Sequence, residues 1–273
     1  MHSRSRSYTN QDLRNQSFRG QSLNGADFSG ADLRGCDFSG AELIGANFER
    51  MKTGQTARQQ VIWMGIAIAV FLISGHAMSL LGSGALGQTP SDRGWGYVLA
   101  LYISLCAAGI ISGLRIVWPP RSRANHWALV LSAMIAAAVS GFYYAGIAME
   151  KNPQWAIAGA VVSSVFTGLV LNRWRGISGA IAATMAGTVM GYGAAFLTGA
   201  MAIGFLSTQH FAGGLLLGCL TLVLIWLTLQ SLKLTWHQIH QAPGTLFRCA
   251  NLTNAQFDGA SLIHTDFSKA QRS

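Results

Sequence analysis

From Leu13 to Phe48 every fifth residue is large and apolar, with Leu and Phe in strict alternation: Leu13, Phe18, Leu23, Phe28, Leu33, Phe38, Leu43, Phe48. The beat returns at Phe247 and continues through Leu252, Phe257, Leu262 and Phe267. Two residues ahead of most of these positions stands a small one, as at Ala26, Ala31, Cys36, Ala41, Ala46, Ala250, Ala255 and Ala260; Gln11, Gln16 and Gln21 depart from the rule. A period of five matches neither the 3.6-residue turn of a helix nor the two-residue alternation of a strand. It predicts a chain that turns a corner every pentad, sending one large and one small side chain inward and three polar residues outward. The glycines at 20, 25, 30, 35, 40 and 45 fall where such corners need unusual backbone angles.

With Ala26-Asp27-Phe28, Ala31-Asp32-Leu33 and Ala250-Asn251-Leu252, the chain resembles the pentapeptide-repeat family, whose unit reads A-(D/N)-L-x-x. The resemblance implies a right-handed quadrilateral β-helix with four pentads per coil. On that geometry Leu13 lies under Leu33 and Phe18 under Phe38, so like side chains form columns. Repeat folds need about three units before their core is continuous. The N-terminal pentads make two coils and the C-terminal ones about one, which predicts a single composite β-helix with Leu252 following Phe48 in phase.

Between the two blocks the pattern changes to long apolar runs at about 61–84, 96–117, 127–149, 155–172, 177–206 and 211–232, each of a length that suits a bilayer. The fifth exceeds that length and is expected to be tilted, or broken near residues 199–204. The fold class is therefore an all-α polytopic membrane domain of six transmembrane helices plus a small right-handed quadrilateral β-helix of pentapeptide repeats assembled from both termini. The expected division is N-terminal repeats over 8–50, a linker over 51–60, the membrane domain over 61–232, a linker over 233–244 and C-terminal repeats over 245–273.

Composition agrees, with 51% hydrophobic and only 11% charged residues. Basic residues alternate between the two sides. Arg50, Lys52 and Arg58 precede the first span; Arg115, Arg121 and Arg123 separate the second from the third; Arg173 and Arg175 follow the fourth; Lys233 and Arg248 follow the sixth. The other loops hold only Arg93 beside Asp92 and Lys151 beside Glu150. Since Lys and Arg favour the cytoplasmic side, both termini are expected there. Trp63, Trp95, Trp118, Trp127, Trp155 and Trp174 mark span ends, as an aromatic belt would. No signal peptide is apparent, since the N-terminus is repeat. The net charge of +9 is absorbed by these flanks, which argues against a nucleic-acid partner.

The fifth span carries a small residue at every fourth position: Gly179, Ala183, Gly187, Gly191, Ala195 and Gly199. Such ladders let helices approach closely in lipid. The third span has a lesser copy in Ala133, Ala137, Gly141 and Ala145.

Candidate chemistry is sparse. Between Ala57 and Gly244 the only carboxylates are Asp92 and Glu150, both in predicted non-cytoplasmic loops. Ion-coupled transporters place ionisable groups at membrane depth, so this lowers a transport reading. His76 lies within the first span, where hydrogen bonding to a neighbouring helix outweighs ligation of a metal or tetrapyrrole. His237 and His240 share a helical face without an acidic or thiol partner, and Cys36, Cys106, Cys219 and Cys249 have no ligand spacing. No catalytic, cofactor or metal site is expected, and no enzyme.

The leading expectation is a non-enzymatic membrane scaffold or assembly factor, held in the lipid bilayer, that presents a cytoplasmic β-helix to a protein partner, with a homo-oligomer left open. The alternative is a transporter, channel or lipid or glycolipid export component with the β-helix as a cytoplasmic clamp. The resemblance to pentapeptide-repeat proteins implies a cyanobacterial plasma or thylakoid membrane. It also raises the acidic DNA mimics that shield gyrase, but balanced Asp and Arg in the repeats argue against that role.

Overall fold

A computed structural model describes residues 6–119, 122–173 and 176–271. Arg121, Trp174 and Arg175 lie outside the described residues. The chain divides into two compact units, one of Met1–Trp63 with Ile239–Ser273, the other of Met64–Gln238.

In the first unit, parallel backbone bridges join residues one four-pentad turn apart: Asp12 to Asp32, Ser17 to Asp37, Ser22 to Glu42 and Asp27 to Asn47. The C-terminal pentads continue the ladder on the N-terminal ones, with Asp37 bridged to Leu246, Glu42 to Asn251, Asn47 to Gln256 and Lys52 to Ser261. Regular strand is confined to β1 (Thr245–Leu246) and β2 (Thr265–Asp266), which pair in parallel. Corners take positive φ at Gly20 through Gly45, and also at Asn10, Asn15 and Arg50, where a side chain must accept the left-handed region.

The interior is built from columns. Tyr8, Phe28, Phe48 and Phe257 stack with ring centroids 4.8–5.1 Å apart, and Phe18, Phe38, Phe247 and Phe267 do so at 4.9–5.1 Å. Neighbouring columns meet edge to face, as Phe28 meets Phe38 at 5.5 Å. Leu23, Leu43 and Leu252 fill a third column, with Leu33 and Leu43 fully buried. Cys36 occupies a small inward position, its Sγ donating to Leu13 O at 3.0 Å, and burial pushes its thiol up to about 12.

Two expectations need correcting here. Leu252 does not follow Phe48 in phase, because two more pentad centres, Thr53 and Phe247, lie between them: Met51 is fully buried in the small position, Thr53 is buried at the centre, and Leu252 stacks over Leu43. Leu262 is 41% exposed rather than core, since the shift places it over the short, polar Thr53 and nothing stacks on its other side among the described residues. Phe257 and Phe267 in the same last coil are half-buried, as is Leu13 in the first.

The second unit is helical. Among the described residues six helices are long and apolar enough to cross a membrane, which marks an integral membrane protein. They are α1 (Ala57–Ala85), α2 (Trp95–Leu114, prolonged by a 3-10 turn, Arg115–Val117), α3 (Arg123–Ala148), α4 (Pro153–Arg173), α5 (Ile177–Ser207) and α6 (Phe211–His240). Local signals set their starts. Ser122 Oγ accepts from Asn125 N–H at 3.1 Å, and Asn152 Oδ1 accepts from Gln154 N–H at 3.0 Å beside Pro153, which suits a first helical position.

α5 is the central helix, with half of its most apolar window buried against 11% for α4. It runs unbroken through residues 199–204, so of the expected tilt or break the break does not occur. No proline interrupts it, and Thr198 Oγ1 turns back to Ala194 O at 2.8 Å instead of opening the helix. Along its ladder, Gly191 lies against the backbone of Gly109 on α2, where an added Cβ on Gly109 would come within 2.5 Å of Gly191 Cα. Gly187 meets Ser112 and Ser132, Gly199 meets Thr221, and Ala183 and Ala195 are buried, while Gly179 is half-buried.

Candidate interaction surface and buried polar seam

Outside the columns, the repeat unit carries charge in an ordered array. On one side Asp12 and Arg14 lie a turn below Asp32 and Arg34. Each arginine clasps its own aspartate through Nε and Nη2, at 2.6 Å for the shorter contact. Arg14 Nε is also 3.9 Å from Asp32, which links the two rungs. The hydrogen bond from Arg14 holds the Asp12 carboxyl at about 2, and that from Arg34 holds Asp32 below its ordinary value. On the next side Asp27, Glu49 and Asp258 make an acidic strip, with Asp27 depressed by the Ser29 N–H. A third side carries Arg248 on Asp266 at 2.6 Å; burial works against that carboxylate, but the Ser268 N–H and Arg248 keep it ionised. Exposed pairs of this kind contribute little stability, on the order of 0–1 kcal/mol, so their value is as a patterned surface.

Residues 51–60, read from sequence as a linker, form instead a clasp inside the same unit. Thr56 opens α1 with a reciprocal capping box: Gln59 N–H donates to Thr56 Oγ1 at 3.3 Å, and Thr56 N–H to Gln59 Oε1 at 3.1 Å. Gln59 Nε2 then reaches Gly244 O at 3.1 Å. Gln55 Nε2 donates to the carbonyls of Ile239, His240 and Ala242, so it closes the C-terminal turn of α6. Thr56 Oγ1 donates to Asn15 Oδ1 at 2.7 Å, and Gly54 N–H to the buried Thr245 Oγ1 at 3.1 Å. Gly54 and Gly244 touch backbone to backbone, where any Cβ on Gly244 would collide. The run Thr56-x-x-Gln59 just ahead of an apolar stretch was a sequence signal for this cap.

Within the helical unit several polar side chains gather in one seam. Ser112, Thr188 and Ser231 join hydroxyls at 2.7 and 2.8 Å, and Ser132 donates to Ala108 O. Further along, Arg115 is 6% exposed, its Nε donating to Asn125 Oδ1 and its Nη1 to Thr184 Oγ1, both at 2.8 Å, with Gln238 Oε1 3.1 Å from Thr184 Oγ1. Sequence reading counted Arg115 as a loop flank. Its place inside the apolar run 110–117 was the available signal, and burying an ion costs several kcal/mol even after relaxation.

Elsewhere Leu105, Met190, Leu197 and Leu224 are fully buried, while an apolar cavity of about 390 Å³ opens among α1, α2, α3 and α4, lined by Leu81, Ala85, Leu101, Val139 and Ala160. His76 Nδ1 lies 3.3 Å from Tyr144 Oη, which also donates to Ile73 O, at the edge of a groove of about 540 Å³ between α1 and α5. His237 is exposed, and no group of three or more His, Cys, Asp or Glu suited to a metal ion occurs among the described residues.

The pentapeptide repeats family matches residues 12–50 and 244–271, in eight copies. The chain thus carries these repeats at both ends. No curated protein and no solved structure matches the chain.

Proposed function

We propose, for a chain that carries pentapeptide repeats on either side of six apolar helices, that the two repeat blocks form one right-handed quadrilateral β-helix and that this serves as a membrane-anchored scaffold. The observation that carries the reading is the meeting of Gly54 and Gly244, which makes the whole helical unit an insertion between two pentads of a single coil. A protein held at both ends in this way ties a patterned surface to the membrane unit by both of its termini. The alternation of basic residues supports a cytoplasmic side for the repeats in this reading. The near absence of carboxylates from the helical segment favours a scaffold over an ion-coupled transport role.

The charged side built by Asp12, Arg14, Asp32 and Arg34 is the partner-facing surface in this reading. Purification of the tagged full chain in mild detergent should recover a stoichiometric protein partner. The double variant Arg14→Glu, Arg34→Glu should release it while keeping the coil folded, because these side chains lie outside the columns. Retention of the partner by that variant would reject this surface, and a chain recovered alone in several mild detergents would reject the scaffold. Deletion of residues 245–273 tests the composite coil separately: the N-terminal pentads should become protease-sensitive, and continued protection would show that they stand alone.

A further inference from the structure

Arg115 is more than nine-tenths buried, yet its charge has no counter-ion within the helical unit. Asp92 and Glu150 are the only carboxylates between Ala57 and Gly244. They sit in the α1–α2 and α3–α4 connections, at the opposite ends of the helices from Arg115. Neutral dipoles therefore hold the guanidinium, and they use only part of it. Nε and Nη1 are taken by Asn125 and Thr184, while Nη2 has no partner among the described residues. Nor is Nη2 sealed in: the sealed and unpaired side-chain atoms are His126 Nε2 and Ser140 Oγ.

Four helices meet around this group: the end of α2, the start of α3, the first third of α5 and the end of α6. The same ends of the unit carry Arg123, Arg173 and Lys233, so an anion arriving there meets positive charge before it meets Arg115. A guanidinium offers a fixed fork of N–H donors that matches phosphate oxygens. Basic pockets between membrane helices are places where phosphate headgroups are bound. We propose that Arg115, with Asn125, Thr184 and Gln238 around it, is the floor of a binding site for a phosphate anion, supplied by an acidic lipid headgroup or free in solution.

The site differs from general attraction of acidic lipid to exposed flanking charges, because it is buried and therefore poorly screened by salt. At about 1 M salt the screening length falls to roughly 3 Å, which suppresses the exposed flanks first. The full chain is placed in nanodiscs of phosphatidylcholine alone, of phosphatidylcholine with phosphatidylglycerol, and of phosphatidylcholine with inorganic phosphate in the buffer. All three are melted in 1 M NaCl, and retained lipid is identified by native mass spectrometry. The unmodified chain should melt on the order of 5 °C higher with its anion, and a rise with phosphatidylglycerol should come with that lipid held through ejection. A rise with phosphatidylglycerol alone names the lipid as source; a rise with inorganic phosphate names the free anion.

Arg115→Gln should abolish the rise, but an emptied buried site can also unfold the protein. Asn125→Asp resolves this, since it sets a carboxylate where an oxygen already lies 2.8 Å from Nε and neutralises Arg115 from within. That variant should fold and melt at least as high as the unmodified chain in phosphatidylcholine, yet lose its response to either anion. An Asn125→Asp variant that responds like the unmodified chain, or an unmodified chain indifferent to both anions, would overturn the proposal.

Discussion

The repeat unit and the helical unit both pair small residues with close approach, but they dispose of their polar groups in opposite ways. In the repeat unit Ala26, Ala31 and Ala41 let successive coils settle at strand spacing, and backbone hydrogen bonds run from coil to coil, as from Phe38 N–H to Leu246 O at 2.7 Å. Cohesion there is between segments distant in sequence, and among the described residues of that unit no charged side chain is buried. In the helical unit backbone bonds stay inside each helix, so Gly109, Gly187 and Gly191 supply cohesion through contact alone, and one charge is turned inward. Period and column govern the first unit, while individual contacts govern the second.

The contrast is sharpest where a large side chain is removed. Phe38→Ala should destabilise the repeat unit by about 3–5 kcal/mol, because the ring is fully buried between Phe18 and Phe247. Leu262→Ala should cost little, and protease resistance of the full chain in detergent distinguishes the two. An equal effect of both would mean that the columns are not the source of stability.

In the helical unit the sensitive change is an addition. Gly109→Leu should cost about 1–3 kcal/mol or more by forcing α2 from α5, whereas Gly218→Leu, on a helix face with nothing near, should be neutral. Thermal unfolding of the two variants side by side checks this. Gln55→Ala sits between the extremes of period and contact. Loss of its three bonds to the end of α6 should cost about 0.5–2 kcal/mol, by analogy with lost caps, and should appear as faster cleavage at residues 241–243.

The smallest effect is that of acid. Asp12, Asp27 and Asp32 have pKa values below their ordinary 3.8, so they stabilise the folded unit above that pH. The contribution fades as pH falls from 3.8 toward about 2, where Asp12 titrates. Protease resistance should decline mildly across that window and not between pH 5 and 7. A decline in the higher range would implicate other groups.

These differences explain what could be read in advance. The five-residue period identifies the repeats at both ends because every coil imposes the same requirement, and six spans follow from length and apolarity. The phase of the second block was misread because Met51 and Thr53 satisfy a pentad without a large centre, and Leu262 then loses its cover. Arg115 was misread because loop charge and buried charge look alike in one dimension; only the crossing of α2, α3 and α5 brings Asn125 and Thr184 to it. The four-residue ladder of α5 marks its packing face in the sequence, but the partners it meets on other helices have no such period.

The insertion at Gly54 and Gly244 also fixes a timetable. When the first two coils leave the ribosome, the pentads that complete them are still 190 residues away in the message. At about 5–20 residues per second that wait lasts roughly 10–40 s, during which Phe38 and Phe48 have no upper neighbours. In the proposed coil, closure becomes available only after the last helix has been synthesised, so a chain stalled midway leaves the rings of Phe38 and Phe48 without their upper neighbours.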